Sequence, residues 1–242
     1  MKESILFEDD DLIAVNKAAG ELVVADRFGI EADDNILLRK LGAYLRTKGA
    51  KADEEGRDLF PVHRLDRDTS GIVVFAKNSD MHRALSRIFE ERQAQKIYWA
   101  FCSGIPDWDW CEISLPLQRG EGKKGRGRAL VHIRNGGEAI TEFRLIERFG
   151  DISWLEATPA TGRLHQIRVH ARILGHALLC DRQYADLEWK SEFYPKLEVS
   201  RIPLHARKLS FTHPLTKQQI DIVCPVDDSM RGLLNELKQR RP

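Results

Sequence analysis

The sequence predicts an α+β fold built on a mixed, mostly antiparallel sheet. Predicted strands outnumber predicted helices, and several strands follow one another with only a turn between them. A doubly wound fold would instead alternate strand and helix along the chain. The 242 residues are 42% hydrophobic and 31% charged, the mark of a globular chain with a substantial core. That core is expected in a single domain over residues 1–242, either undivided or as two packed lobes.

The elements follow from local pattern. Two apolar groups flank the acidic Glu8-Asp9-Asp10-Asp11, predicting a strand, a turn and a second strand over residues 11–17. Ala18-Ala19-Gly20 is a turn, and Leu22-Val23-Val24 a short extended piece. Residues 35–45 carry a helical stripe of Ile36, Leu37, Leu41, Tyr44 and Leu45. Residues 49–57 are polar and predict a loop. Residues 72–76 are apolar and rich in β-branched side chains, as in a buried strand. Ser79 or Asp80 caps the helix that follows, which runs to about Arg92.

Further on, strands are predicted over residues 96–102, 139–147, 152–157, 204–211 and 219–223. Turns fall at residues 104–107, at Phe149-Gly150 and at His213-Pro214. Helices are predicted over residues 164–174 and 227–239. Residues 175–199 show no clean period, and residues 119–128 hold too many glycines and charges for a regular element.

Composition excludes several classes. No apolar run approaches the roughly 20 residues that cross a bilayer. The acidic N-terminus lacks the apolar segment of a secretory signal, so a cytoplasmic location without membrane association is expected. Cys102, Cys111, Cys180 and Cys224 form no CxxC pair, and the eight histidines lack ligand spacing, so no metal site is expected. The net charge is only +1, yet it is unevenly spread. Residues 119–128, RGEGKKGRGR, hold five basic side chains and one acid, and the C-terminal KQRRP adds more. Acidic residues gather at the N-terminus and at residues 31–34 and 53–58.

Two constellations carry chemistry. In His63-Arg64-Leu65-Asp66-Arg67-Asp68-Thr69-Ser70-Gly71, charge is packed beside an apolar strand, which is costly without a function or a partner. Were the segment extended, Arg64, Asp66 and Asp68 would share a face opposite Leu65; a loop allows no such assignment. Gly71 permits a close approach before the strand. Asp66 is placed for nucleophilic or base chemistry if nearby cations hold it ionised, while an Arg–Asp network closing a loop is the plainer alternative. The second constellation spans residues 160–181. On a helix, Leu164 and Arg168 share one face and Gln166 and His170 another, with Ile167, Ala171 and Leu174 as the buried stripe. Such a helix either presents a solvated basic face or grips phosphates and holds a carboxylate.

HRLDRDTSGIVVFAK resembles the central signature of the RluA-type pseudouridine synthases. The resemblance implies that Asp66 is the essential catalytic residue and that Arg64 enters the RNA base stack and helps displace the target uridine. TGRLHQIRVH followed by GHALLCD resembles a second family element, which assigns Arg168 to a salt bridge with the catalytic aspartate. Leu164, Ala177 and Cys180 depart from the usual threonine, proline and glycine there. DLIAVNKAAGELVV is similar to the N-terminal family segment, with Ala18 in place of a proline. Lys96-Ile97-Tyr98 and Ala100 resemble the KxYxA element, whose tyrosine, here Tyr98, lies against the target base. RIPLHARKLSFTHP is similar to a late element that supports the sheet.

Together these span about Leu6 to Pro214. They imply the pseudouridine synthase fold, with a bent mixed sheet, flanking helices and a cleft near its centre. The expected arrangement is a standalone catalytic domain with no N-terminal S4-like domain. RNA contacts are then expected from Arg64, Arg67, Arg163, His165 and Gln166, from Lys17 and Lys77 at phosphates, and from Lys123, Lys124, Arg126 and Arg128 in the basic loop.

The implied reaction breaks the N1–C1′ bond of a flipped-out uridine, rotates the base, joins C5 to C1′ and releases the C5 proton. It needs no cofactor. The implied partner is structured RNA, 23S ribosomal RNA or transfer RNA or both, acted on by a monomer without an obligate protein partner. Two other classes are compatible with parts of the sequence. A glycoside hydrolase would use Asp66 and Asp68, in surroundings unusually cationic for that pair. A non-catalytic RNA-binding protein would keep the scaffold without turnover.

Overall fold

The computed structural model describes residues 4–25, 35–49, 58–120, 128–186 and 188–239. Lys123, Lys124 and Arg126, most of the predicted 49–57 loop and the acidic 31–34 segment lie outside them. In chain order the elements are β1 (Ile5–Glu8), β2 (Leu12–Lys17), α1 (Leu37–Thr47), β3 (Phe60–Pro61), β4 (Ser70–Ala76) and α2 (Ser79–Glu90). Then come β5 (Gln95–Ser103), β6 (Trp110–Ser114), β7 (Leu117–Arg119), β8 (Ala129–Val131), β9 (Ile140–Phe149) and β10 (Ile152–Pro159). The chain closes with α3 (Gln166–Ile173), β11 (Leu204–Thr212), β12 (Gln219–Val223) and α4 (Asp228–Gln239). This is an α+β fold with a mixed, mostly antiparallel sheet.

The chain divides into two compact units, residues 1–95 with 206–225 and residues 96–205 with 226–242. In the first, the strands run in the order β1-β2-β4-β11, with β3 on β4 and β12 on β11. All seven residues of β4 are buried, as a strand flanked on both sides and covered on both faces requires. Ile72, Val74 and Ala76 join Leu12, Ala14, Met81, Leu85 and Phe211 in one apolar cluster. At its start, Gly71 has φ +112, and a Cβ there would lie 2.3 Å from the Ala206 carbonyl oxygen. The predicted close approach is therefore between the backbones of β4 and β11.

In the second unit the order is β5-β10-β9-β6, beside the small β7-β8 pair. β9 and β10 pair antiparallel across the predicted turn, where Gly150 has φ +55. α3 packs Ile167 and Ala171 against Ala100, Phe143, Leu155 and Ala157 of the sheet.

Several expectations are corrected. Asn78, not Ser79 or Asp80, caps α2: its side-chain oxygen accepts from the Met81 N–H at 2.8 Å. Residues 22–24 form no strand; Leu22 makes one isolated parallel bridge to Ile36. β7 and β8 flank the basic stretch, so Arg119 is a strand residue. α3 begins two residues later than predicted because His165 adopts the left-handed conformation, φ 53. Its polar side is not solvated: Gln166, Arg168 and His170 are all buried.

For Gln166 and His170 that burial is made possible by a directional hydrogen-bond chain. Gln166 Nε2 donates to Thr141 Oγ1 at 2.9 Å. The Thr141 hydroxyl proton then goes to His170 Nδ1, 2.9 Å away, and His170 Nε2–H donates to the Leu115 carbonyl at 3.1 Å. A second proton on the imidazole would face the threonine proton. Burial accordingly pushes the His170 pKa below its ordinary value of 6.5, against the opposing hydrogen bond to Leu115.

Two outcomes follow. Gly71→Ala should destabilise the protein by about 3 kcal/mol or more in chemical denaturation, because it forces both a clash and a strained φ. For His170, the unfolded imidazole takes up a proton below about pH 6.5 while the folded one resists. Stability should therefore decline on acidification through pH 6.5 toward the folded pKa, by up to about 1.4 kcal/mol per pH unit. Denaturation midpoints measured against pH should lose this component in His170→Gln.

Candidate active site

The candidate functional side chains fall in two groups, one in each unit. In the first, residues 64–69 form a loop rather than an extended strand. The Thr69 N–H donates to the Asp66 carbonyl at 3.1 Å and closes a four-residue turn. Leu65, Thr69 and Ser70 are buried, Asp66 is half-buried, and Arg64, Arg67 and Asp68 are exposed. The turn is thus sunk at both ends, with its charged side chains toward solvent.

The carbonyl of Arg67, next to Asp66, points inward. It accepts from the Gly20 N–H at 2.8 Å and from Lys17 Nζ at 2.9 Å. Lys17 Nζ also donates to the carbonyls of Ala18 and Glu21, each at 2.9 Å. Three carbonyls thus meet the three protons of an ammonium that is fully buried. Arg67 Nε returns a bond to the Gly20 carbonyl at 3.1 Å. The left-handed Gly20, φ +86, turns the 17–21 backbone so that it meets the motif. Upstream, His63 Nε2 accepts from the Val74 N–H at 3.2 Å, and its ring stacks on Phe89 at 4.9 Å.

These bonds correct the assignment of Lys17. Lys17 contacts no phosphate, because its ammonium is enclosed by backbone carbonyls. Lys77 pairs with Glu8 Oε1 at 3.0 Å and donates to the Asp9 carbonyl. It also follows the far end of β4, roughly 20 Å along the strand from the Asp66 turn.

In the second unit, Arg168 is 6% exposed and Asp181 is fully buried. Arg168 Nε donates to Asp181 Oδ2 at 2.7 Å and its Nη2 to Asp181 Oδ1 at 2.8 Å, a bidentate pair. Nη2 also donates to Gln183 Oε1 at 2.9 Å. The guanidinium carbon stands over the Tyr184 ring, 5.0 Å from its centroid. Arg128 stands over the same ring at 5.2 Å, is exposed, and donates to the Gln183 carbonyl.

His165 is half-buried; its Nδ1 lies 2.9 Å from the Tyr184 hydroxyl and its ring meets that ring edge-on. Arg163 is exposed, with Nε bonded to the Glu138 carbonyl at 2.9 Å. Tyr98 is half-buried on β5, opposite Ala157.

Gln166 is not an RNA contact. Its Oε1 accepts from Thr161 Oγ1 and the Arg163 N–H, and its Nε2 donates to the Ile140 carbonyl and Thr141 Oγ1. Every hydrogen-bonding position of the amide is used inside the fold. Sequence reasoning missed Asp181, Gln183 and Tyr184 as partners of Arg168. The available signal was an aspartate directly after the apolar Ala177-Leu178-Leu179-Cys180, which places a carboxylate at the core where it needs a cation. Among the described residues no group of three His, Cys, Asp or Glu could hold a metal ion, and no helix is long and apolar enough to cross a membrane.

The comparisons with known proteins agree with one another. A family profile described as RNA pseudouridylate synthase matches residues 11–172. The ribosomal large subunit pseudouridine synthase C of Vibrio cholerae serotype O1 is 32% identical over 99% of this chain and 70% of that protein. The tRNA pseudouridine synthase C of Haemophilus ducreyi is 33% identical over 98% of this chain and 96% of that protein. Among solved structures, human RNA Pseudouridylate Synthase Domain Containing 4 is similar with a TM-score of 0.77 at 26% identity, covering 98% of this chain and 94% of that one. A chain whose charged motif, fold and relatives coincide in this way belongs to the RNA pseudouridylate synthase family, in its RluA-type branch, and is an isomerase of uridine to pseudouridine in RNA.

Proposed function

We propose that this enzyme modifies uridine in structured ribosomal or transfer RNA, with Asp66 as its catalytic carboxylate. The observation that carries the reading is the setting of Asp66. It is half-buried on a turn closed by its own carbonyl, with the next carbonyl held by a buried ammonium. Such a carboxylate meets a substrate with little reorganisation of the backbone beneath it. The two named relatives act on ribosomal and on transfer RNA respectively, which supports both substrate classes here.

The target nucleotide leaves its stack to reach the carboxylate, and exposed Arg64 holds the opened helix. Asp66 then serves either as nucleophile at C1′ or as the base that removes the 2′ proton. In both routes the N1–C1′ bond breaks, the base turns, C5 bonds to C1′ and the C5 proton is released. Tyr98 lies against the base, and Arg168 is the arginine that the family resemblance assigns to the catalytic carboxylate. Arg67, Arg128, Arg163 and His165, with Lys123, Lys124 and Arg126, supply RNA contacts whose strength falls with salt. The enzyme works as a monomer in the cytoplasm, without a cofactor or an obligate protein partner.

Tritium release from C5-tritiated, unmodified ribosomal and transfer RNA transcripts tests this. Intact protein should release tritium from at least one class. Asp66→Asn should release it at least about a thousandfold more slowly while binding the RNA within about threefold of the intact protein. Comparable turnover by Asp66→Asn would remove Asp66 from the chemistry. Binding by the intact protein without release from either class would reject both as substrates.

A further inference from the structure

A bidentate carboxylate fixes a guanidinium only in part. The Arg168 fork is held along its edge by the two oxygens of Asp181, and its Nη2 is held again by Gln183 Oε1 at 2.9 Å. The guanidinium carbon also stands over the Tyr184 ring, 5.0 Å from its centroid, so the ring face adds a cation–π contact to those hydrogen bonds. The ring is itself anchored. Its hydroxyl accepts from the Ala129 N–H of β8 at 2.8 Å and lies 2.9 Å from His165 Nδ1, and the residue is 8% exposed.

One short segment supplies all these contacts. The Asp181 carboxylate takes the Gln183 N–H at 3.0 Å as well as the arginine, and the Asp181 carbonyl takes the N–H groups of Tyr184 and Ala185. Residues 181–185 are therefore a compact turn that presents a carboxylate, an amide oxygen and an aromatic face to a single side chain. A buried arginine in a merely structural role needs charge and hydrogen bonds; this one also has an aromatic ring beneath its guanidinium carbon.

We propose that Tyr184 is a positioning residue for the isomerisation, holding the Arg168 guanidinium in one orientation through its ring face. The proposal rests on the reading that Arg168 serves the reaction, and its test separates the two.

The measurement is single-turnover tritium release, at saturating protein, from whichever C5-tritiated transcript turns over, with RNA Kd from filter binding. Tyr184→Leu removes the aromatic face and should slow the step about tenfold, with Kd within about threefold. Tyr184→Phe keeps the face and should restore the rate to within about threefold. In an Arg168→Lys background, Tyr184→Leu should add no further loss, because its effect passes through the arginine. An undiminished rate in Tyr184→Leu, failure of Tyr184→Phe to restore it, or a full further loss in the double variant would overturn the proposal.

If Tyr184→Leu does not fold, phenylalanine and pentafluorophenylalanine at position 184 give the same comparison with the ring's shape kept and its face charge reversed. A slower fluorinated enzyme supports the proposal, and equal rates overturn it. Full activity in Arg168→Lys would overturn the underlying reading of Arg168 and the proposal with it. A slow Arg168→Lys beside a full-rate Tyr184→Leu would overturn the proposal alone.

Discussion

The buried ammonium of Lys17 is the interaction on which the arrangement of the motif depends. A lysine with no solvent exposure is costly, and it is tolerated here because three carbonyls converge on its three protons. Two of those carbonyls belong to the turn after β2 and one to Arg67, fifty residues later in the chain. The lysine thus ties the end of one strand to the loop that carries Asp66. Glu21 completes the clamp, with its carboxylate shared between the Ala18 N–H and Lys40 of α1. Around it, β4 can be wholly buried and still begin at a polar, exposed turn.

The second unit solves a similar problem with matched hydrogen bonds and one buried ion pair. α3 buries a glutamine, an arginine and a histidine within five residues, and each is matched by a specific partner. Gln166 and His170 join Thr141 and Thr161 in one chain of bonds, while Arg168 is handed to Asp181 and Gln183. Partial satisfaction would be worse than an apolar core, so these residues act as a unit. The result is a guanidinium with a defined position rather than a flexible surface charge.

Much of this was legible in the sequence where period and composition speak. Ile72 to Ala76 announced a buried strand through β-branched side chains, and the motif before it stood out as a candidate site through its density of charge. What stayed hidden depends on which distant groups converge. Nothing local distinguishes Lys17, which is enclosed, from a solvated lysine, and Lys77 differs from it only in its partners. Gln166 looked like an RNA contact because helical periodicity places it on a polar face, yet β9 covers that face with matching acceptors and donors. The left-handed turn at His165, which delays the start of α3, is likewise outside what a periodic pattern can specify. Asn78 won the cap over Ser79 and Asp80 by the helix starting one residue earlier than its acidic first turn suggested.

The most direct test of the account is the effect of Lys17→Met on stability and on single-turnover pseudouridine formation, measured together. Methionine keeps the chain's length and loses the ammonium, leaving the carbonyls of Ala18, Glu21 and Arg67 without its protons. The account predicts a loss of about 3 kcal/mol in unfolding free energy. In the fraction that remains folded, it predicts a rate at least about tenfold lower with RNA affinity within about threefold. Wild-type stability and an unchanged rate would contradict it, since Asp66 would then be held in place by something other than this clamp.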